Sequence, residues 1–488
     1  MKSKVNSQPI FVKNTNSLLS VEEEQQKFLT EYPNFQLTSI LDELRKNDYA
    51  NLDHQGHIYL DFTGAGLYAH SQVQKHQDLL KNTVFGNPHS SNPTSLAATH
   101  LIERTRETIL TFFNADPQEY VCIITNNASG ALKLVGESYP FSNNSHYLLT
   151  YDNHNSVNGI REFARAKGAQ INYIPVLLPD LQIDQQELSC QLKNIDPAAH
   201  SLFAYPAQSN FSGVQHSLEW IQVAQEAGWD VLLDAAAFVP TNSLDLQKYH
   251  PDFVTLSFYK MFGYPTGVGL LLARRKALSK LHRPWFAGGT ITVASVKGDK
   301  YYLHQGAEGF EDGTLDYLNI PAVEIGLKHF ASIGYETIHN RVMDLTGWLI
   351  KKLANIRHSN GRNLISIYGP ENTQNRGGTI AMNFYDPEGH FIDHLRVEAR
   401  ANQQGISLRS GCFCNPGDGE MALGLSADEL TSCFAIKTNF EYQDFRSCLA
   451  EKSTGAVRVS LGLVSNFEDV YKMVKLAESF VDLKYHEV

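Results

Sequence analysis

Seven short stretches of the chain are apolar at almost every position: YVCIIT (120–125), HYLLTY (146–151), INYIPV (171–176), SLFAYP (201–206), DVLLDA (230–235), FVTLSF (253–258) and VGLLLA (268–273). A strand with one wet face alternates apolar and polar residues, so runs of this kind predict strands covered on both faces. Between several of them, apolar residues recur at helical spacing, as in SVNGIREFARAKGA (156–169) and LEWIQVAQEAGW (218–229). Strand, helix, strand repetition requires crossover connections and predicts an α/β fold built on a mainly parallel seven-stranded sheet. Ligands of such sheets sit at the carboxyl ends of the strands. That places TNNASG, DNHNS, PAQSN, DAAA and SFYK on one rim.

The texture changes on either side of this region. Residues 1–56 are polar, with one helical stretch, TSILDELRKNDY, and read as an N-terminal arm or accessory segment. Residues 57–320 hold the strand runs and form the expected large domain. From 321 a long helical stretch, PAVEIGLKHFASIGYETIHNRVMDLTGWLIKKLANI, precedes the strands GTIAMNFY and AVRVSLG and a terminal helix. This predicts a smaller α+β domain over 321–488.

At 488 residues the chain suits two or three domains, and 42% hydrophobic with 19% charged residues is a globular composition. The net charge of −11, from 41 basic and 52 acidic residues, argues against nucleic acid or an anionic membrane as the main partner. The N-terminus has no apolar core for a secretory signal, so a cytoplasmic protein is expected. Six cysteines do not make a disulfide framework in so long a chain. Cys122, Cys190, Cys433 and Cys448 are scattered and read as small buried hydrophobes or inert thiols. Cys412 and Cys414, in RSGCFCNPG, stand apart.

Lys260 follows an apolar strand directly, in LSFYKMFGYPTGVG, where an ammonium is costly unless it snorkels to solvent, finds a partner or is neutralised by a carbonyl cofactor. The rim offers the other parts that pyridoxal 5'-phosphate requires. Asp234 ends the run DVLLDA, where a carboxylate either caps a turn or meets a cation such as a protonated pyridine nitrogen. Ala128 and Ser129 open a helix after a strand, and its free N–H groups suit a phosphate or an ordinary cap. His154 is placed to stack on a ring, Asn210 to bond a ring oxygen, and Ser257 to add a phosphate contact, although each also suits a plain loop or turn.

Taken with YLDFTGAGLYAHSQV, GNPHSS, FAYPAQSNFSGV, LLDAAAFVPT, FEDGT, RGGTIAMNF, LRSGCFCNPG and GAVRVSLG, these motifs resemble the class V aminotransferase group of fold-type I pyridoxal phosphate enzymes. Within that group the chain is similar to the cysteine-desulfurase-like domain of molybdenum cofactor sulfurases, over about residues 57–475. The resemblance implies a homodimer in which Lys260 binds the cofactor aldehyde, Asp234 holds the pyridine nitrogen and His154 stacks on the ring. It implies that Thr314 of FEDGT reaches the phosphate of the neighbouring subunit and that Arg458 binds the substrate carboxylate. It further implies conversion of L-cysteine, or a related sulfur amino acid, to L-alanine, with a persulfide left for an acceptor whose identity the sequence leaves open.

The cysteine position of desulfurases falls on Cys414, with Cys412 as the second choice. The pair is expected on an extended loop that turns only one thiol to the cofactor. Two soft ligands fall short of a tetrahedral metal site, so no metal is expected. The chain departs from the desulfurases at Ala237, where many carry glutamine, and at Asn127 and Ser129 in the phosphate loop. Sulfurases carry a further C-terminal domain, and this chain ends at Val488, so the sulfur acceptor stays open. The same fold and lysine also serve C–S lyases, epimerases and kynureninase-like enzymes that need no cysteine nucleophile, and a non-catalytic binding paralogue is a third reading.

Overall fold

A computed structural model describes residues 20–435, 439, 441–449 and 452–487 of the chain. The N-terminal stretch read for a secretory signal therefore lies outside the described residues, apart from Ser20. Helices α1 (Val21–Glu31) and α2 (Ile40–Asp48) come first. Phe28 of α1 and Phe35 pack edge to face at 4.7 Å, and Phe28 lies 4.9 Å from Phe467 near the other end of the chain.

All seven apolar runs form strands of one sheet: β1 (Tyr120–Thr125), β2 (His146–Thr150), β3 (Gln170–Ile174), β4 (Leu202–Pro206), β5 (Asp230–Asp234), β6 (Phe253–Ser257) and β7 (Gly269–Arg274). Their order is β1-β7-β6-β5-β4-β2-β3. Strands β3, β2, β4, β5 and β6 pair in parallel, while β7 runs antiparallel between β6 and β1. Successive side chains of a strand point to opposite faces. Val231 and Leu233 accordingly enter one core with Leu270 and Leu272, and Leu232 enters the other with Leu271 and Ala273. Both faces are covered, which is why the runs do not alternate. Strand β3 stops before Pro175, whose ring nitrogen has no hydrogen to donate to the ladder.

Helices α3 (Pro93–Phe112) and α4 (Ala128–Ser138) flank β1 in the chain. An exposed hairpin, β8 (Ile291–Ser295) with β9 (Lys300–Leu303), precedes the long helical region and was not apparent from the sequence pattern. That region is two helices, α5 (Ile320–Ile333) and α6 (Tyr335–Ala354), because Gly334 between them takes φ +85°, a left-handed conformation that suits glycine.

A second, antiparallel sheet follows: β10 (Ile365–Tyr368), β11 (Thr379–Tyr385), β12 (Phe391–Ile392), β13 (Arg409–Gly411) and β14 (Ala456–Ser460), ordered β10-β11-β14-β13 with β12 on β11. Helix α7 (Pro416–Ala422) follows β13, and α8 (Phe467–Glu478) comes after β14. Trp348, Met382, Val459, Phe467 and Met473 share a core with Phe28 and Phe35, so the segment from Val21 is built into this sheet's hydrophobic layer. No helix among the described residues is long and apolar enough to cross a membrane.

Candidate active site

A cavity of about 200 Å³ opens at the carboxyl ends of the parallel strands. Asn127, Ala128, Ser129, His154, Asn210, Asp234, Ser257 and Lys260 all line it. Close backbone packing fixes its frame. Asn127 caps α4, its Oδ1 accepting from the Gly130 N–H at 2.9 Å, and the Ala128 N–H donates to Ser257 Oγ at 2.8 Å. Gly269 lies so near the Asn127 backbone that an added Cβ would come within 2.4 Å of it. The first turn of α4 is thereby held on the rim, where the Ser129 N–H, without a partner among the described residues, and the positive end of the helix dipole suit a small anionic group.

Lys260 sits in a single helical turn, Phe258–Phe262, entered directly from β6. Gly66 packs against this turn, where a Cβ would meet the Lys260 and Met261 carbonyls at 2.9 and 2.8 Å, and its N–H donates to the Tyr259 carbonyl. Among the described residues the Lys260 amine has no hydrogen bond or ion pair. Burial pushes its pKa down; Asp234 and the Cys414 thiolate oppose this, and Arg458 and Arg409 reinforce it. Asp234 is buried, with Oδ1 accepting from the Ala236 N–H at 3.0 Å and no cation of the described residues at ion-pair distance. His154 accepts from the Ser156 N–H through Nδ1 at 3.1 Å, and burial lowers its pKa against the pull of Asp234. The neutral imidazole then carries its proton on Nε2.

The cysteine loop hangs on the same rim. The Asn155 N–H donates to the Cys414 carbonyl at 2.7 Å, and Asn210 Nδ2 donates to the Phe413 carbonyl at 2.7 Å. Asn415 Nδ2 donates to the Asp152 carbonyl and to Asn210 Oδ1. The segment is not extended, contrary to expectation: Phe413 and Cys414 both take φ +56°, a left-handed conformation costing about 1–2 kcal/mol per residue. Phe413 turns inward against Phe211 and beneath the Arg458 guanidinium, leaving Cys412 and Cys414 both exposed on either side of it. Part of the Cys412 surface is open, yet the protein packed around it pushes its thiol pKa up, which leaves less thiolate there.

Arg458 donates to the Asn210 carbonyl at 2.8 Å and to Asp61 Oδ1 at 2.9 Å, while its Nε is buried without a partner. Burial lowers the Arg458 pKa to about 10 against the opposing pull of Asp61. Asp61 also accepts from Arg409 Nε and Nη2. The sequence pattern assigns no role to Asp61 or Arg409, although they lie in YLDFTGAGLYAHSQV and LRSGCFCNPG. Their meeting depends on Ile58–Tyr59 pairing in parallel with Ile406–Ser407, and on Asp61 bridging to Ser460.

Thr314 is not brought to the Lys260 cavity. It lines a separate cavity of about 310 Å³ with Thr125, Gly130, Lys133 and Trp285. The reading of Cys433 and Cys448 as isolated thiols is corrected: they form a disulfide across a separation of 15 residues. Both cysteines belong to one small apolar cluster with Leu430 and Leu449, which brings them together.

The sequence profile of the aminotransferase class-V family matches residues 58–473. The chain belongs to that family. It is 36% identical over 497 residues to a molybdenum cofactor sulfurase of Solanum lycopersicum, covering 94% of this chain and 60% of that protein. A molybdenum cofactor sulfurase of Homo sapiens is 35% identical over 471 residues, covering 91% and 52%. The chain thus spans a little over half the length of these relatives. Among solved structures, the apo cysteine desulfurase of Thermococcus onnurineus NA1 superimposes with a TM-score of 0.73 at 24% identity, covering 90% of this chain and 98% of that one. The α/β fold expected from the strand pattern, and the class V, fold-type I architecture implied by the resemblance, are therefore the fold observed.

Proposed function

We propose that the protein is a pyridoxal phosphate-dependent cysteine desulfurase that leaves a persulfide on Cys414 for an acceptor, as a molybdenum cofactor sulfurase does. The observation that carries the reading is a pair of groups in one cavity with no ionic partner among the described residues: the amine of half-buried Lys260 and the buried Asp234 carboxylate, beside a cysteine loop bonded to Asn210 and Asn155. Burying an unpaired charge costs several kcal/mol, and a cofactor carrying an aldehyde and a basic ring nitrogen relieves both at once. The residues present fit that group. Lys260 would hold its aldehyde, Asp234 its ring nitrogen, the α4 N-terminus with Ala128, Ser129 and Ser257 its phosphate, and His154 and Asn210 its ring.

Bound there, pyridoxal phosphate supplies an electron sink for the charge left on the substrate Cα. The rest of the reaction falls to the chain. Arg458, with two N–H groups already committed and Nε free, binds the L-cysteine carboxylate. Lys260, whose lowered pKa favours the neutral amine, removes the Cα proton. The Cys414 thiolate takes the substrate sulfur, so that L-cysteine and the Cys414 thiol become L-alanine and a Cys414 persulfide. The relatives named as molybdenum cofactor sulfurases support molybdenum cofactor as the acceptor class.

A homodimer belongs to the same reading. Trp285, Phe286, Val293 and Tyr302 are exposed apolar residues on and beside the β8–β9 hairpin, and Trp285 shares the cavity of Thr314. A second copy covering them would turn Thr314 toward the partner's phosphate. We also assign the large domain to 57–320 and the small domain to 321–488, and place the protein in the cytoplasm; four cysteines are free, while the Cys433–Cys448 disulfide is of a kind rare in that compartment.

The test is an absorption spectrum of purified protein, then L-cysteine with assays for alanine and protein-bound persulfide, wild type beside Cys414→Ser. Alanine and persulfide that both depend on Cys414 are expected. Pyruvate and free sulfide formed regardless of Cys414 would replace the reading with a C–S lyase, and no cofactor band after adding pyridoxal phosphate would overturn it.

A further inference from the structure

Beneath the cysteine loop lies a buried polar cluster that the proposed reaction does not use. Helix α7 begins two residues after Cys414, and its Asp418 side chain is wholly buried. Asp418 Oδ2 accepts from Ser209 Oγ at 2.5 Å and from Ser212 Oγ at 3.2 Å. Across the cluster, Asp152 Oδ2 meets His216 Nε2 at 2.5 Å, with both side chains buried. One oxygen of each carboxyl, Asp418 Oδ1 and Asp152 Oδ1, is buried without a partner.

The charge count of this cluster is uneven. Its titratable groups are two carboxyls and one imidazole, and the other polar side chains bonded into it, Ser209, Ser212 and Asn415, are neutral. A single imidazolium neutralises one carboxylate, and Asp152 is the one it touches. Two carboxylates facing each other in a dry site do not both ionise, so the remaining proton belongs on Asp418. Burial and the charge of Asp152 push the Asp418 carboxyl up to about 8, with His216, Ser209 and Ser212 opposing. Asp152 and His216 are the charged groups that face Asp418 from the elements packed against it.

This acid holds the loop that carries the reactive thiol. Ser209 and Ser212 flank Asn210, which bonds the Phe413 carbonyl, and Asn415 at the head of α7 bonds the Asp152 carbonyl. An ionised Asp418 would need water, and parting α7 from the 209–212 segment, to which Asp418 is bonded, would admit it. We propose that Asp418 is a positioning residue that works as a neutral acid: protonated, it keeps α7 and the Cys414 loop docked on the rim, and ionised, it lets them lift. The value of this to sulfur transfer rests on the desulfurase reading; the latch itself does not.

The sign follows from linkage. A carboxyl whose folded pKa is raised favours the docked state below its unfolded value near 3.8, and that contribution is lost as pH rises through the folded value. Docking should therefore weaken from neutral to alkaline pH. The experiment is amide hydrogen exchange over 409–422 in the full chain at about pH 6.5 and about pH 9, normalised to intrinsic rates, for wild type and Asp418→Asn. Asparagine imitates the protonated acid in shape and charge. The expected result is that wild-type protection falls about tenfold between the two pH values while that of D418N stays level, and that the alkaline limb of the alanine-forming rate moves to higher pH in D418N.

Wild-type protection indifferent to pH, or an equal fall in both proteins, would overturn the proposal, and the first of these outcomes can be read even where D418N does not fold. Exchange is read without substrate. A protein that makes no alanine but loosens with pH loses the desulfurase function and keeps the latch; one that makes alanine with a loop indifferent to pH loses only the latch.

Discussion

Two pairs of opposite charge near the large sheet differ in one respect. Arg106 and Glu311 close on each other: both guanidinium Nη atoms donate to the two carboxylate oxygens at 2.7 Å, Nη1 also reaches the Cys122 carbonyl, and Glu311 accepts from the Ile124 N–H. Lys260 and Asp234 line one cavity and neither has an ionic partner among the described residues. The first arrangement answers its charges within the chain, although both residues line a cavity of about 470 Å³, and it serves to join α3, β1 and the segment before α5. The second leaves charge to be answered from outside the chain, and such groups mark functional sites. Arg458 stands between the two, paired to Asp61 yet with Nε free.

Three substitutions test this contrast. Lys260→Ala should lower alanine formation from L-cysteine by about 10⁴-fold, as expected for loss of a general base, and should abolish the absorption band of the lysine–cofactor imine, although cofactor held without that bond still absorbs. In urea denaturation the same variant should lose no stability, because the amine it removes is buried without a partner; a marked loss would mean that Lys260 is structural. Glu311→Gln should do the opposite. It leaves the buried Arg106 guanidinium with only the more exposed Glu103 as an ionic partner, at a cost of about 3 kcal/mol, while the site chemistry of whatever remains folded is kept. A variant as stable as wild type would place Arg106 and Glu311 outside the structural class. The smallest effect belongs to Asp61→Asn. Removing the carboxylate that competes for Arg458 should lower the KM for L-cysteine roughly fivefold, or about 1 kcal/mol, with kcat less affected. A KM that rises instead would make Asp61 an orienting partner of the arginine and not a competitor.

Much of the fold was legible because its signals are local. Each strand run ends where a polar residue or proline interrupts it, and the apolar density of DVLLDA and VGLLLA already says that both faces are covered. The rim residues were legible for the same reason: Asp234, Ser257 and Lys260 are polar groups at the ends of apolar runs, and the strand order brings them to one cavity. The cysteine loop was located by its glycine and proline, but its path was not. Two successive left-handed residues that are not glycine have no sequence signature, and they are held by the Asn210, Asn155 and Asp152 contacts made from the opposite side of the site.

The sequence by itself determined the strands, their burial on both faces and the set of polar residues on the rim, since periodicity and punctuation act over a few residues. Tertiary structure alone decided which charges were answered. Asp61 meets Arg458 across 397 residues and Asp418 meets Ser209 across 209, and nothing in either local pattern encodes the other. Whether a buried charge is structural or available depends on that meeting, because in a medium of low polarity the nearest opposite charge or hydrogen bond governs its energy.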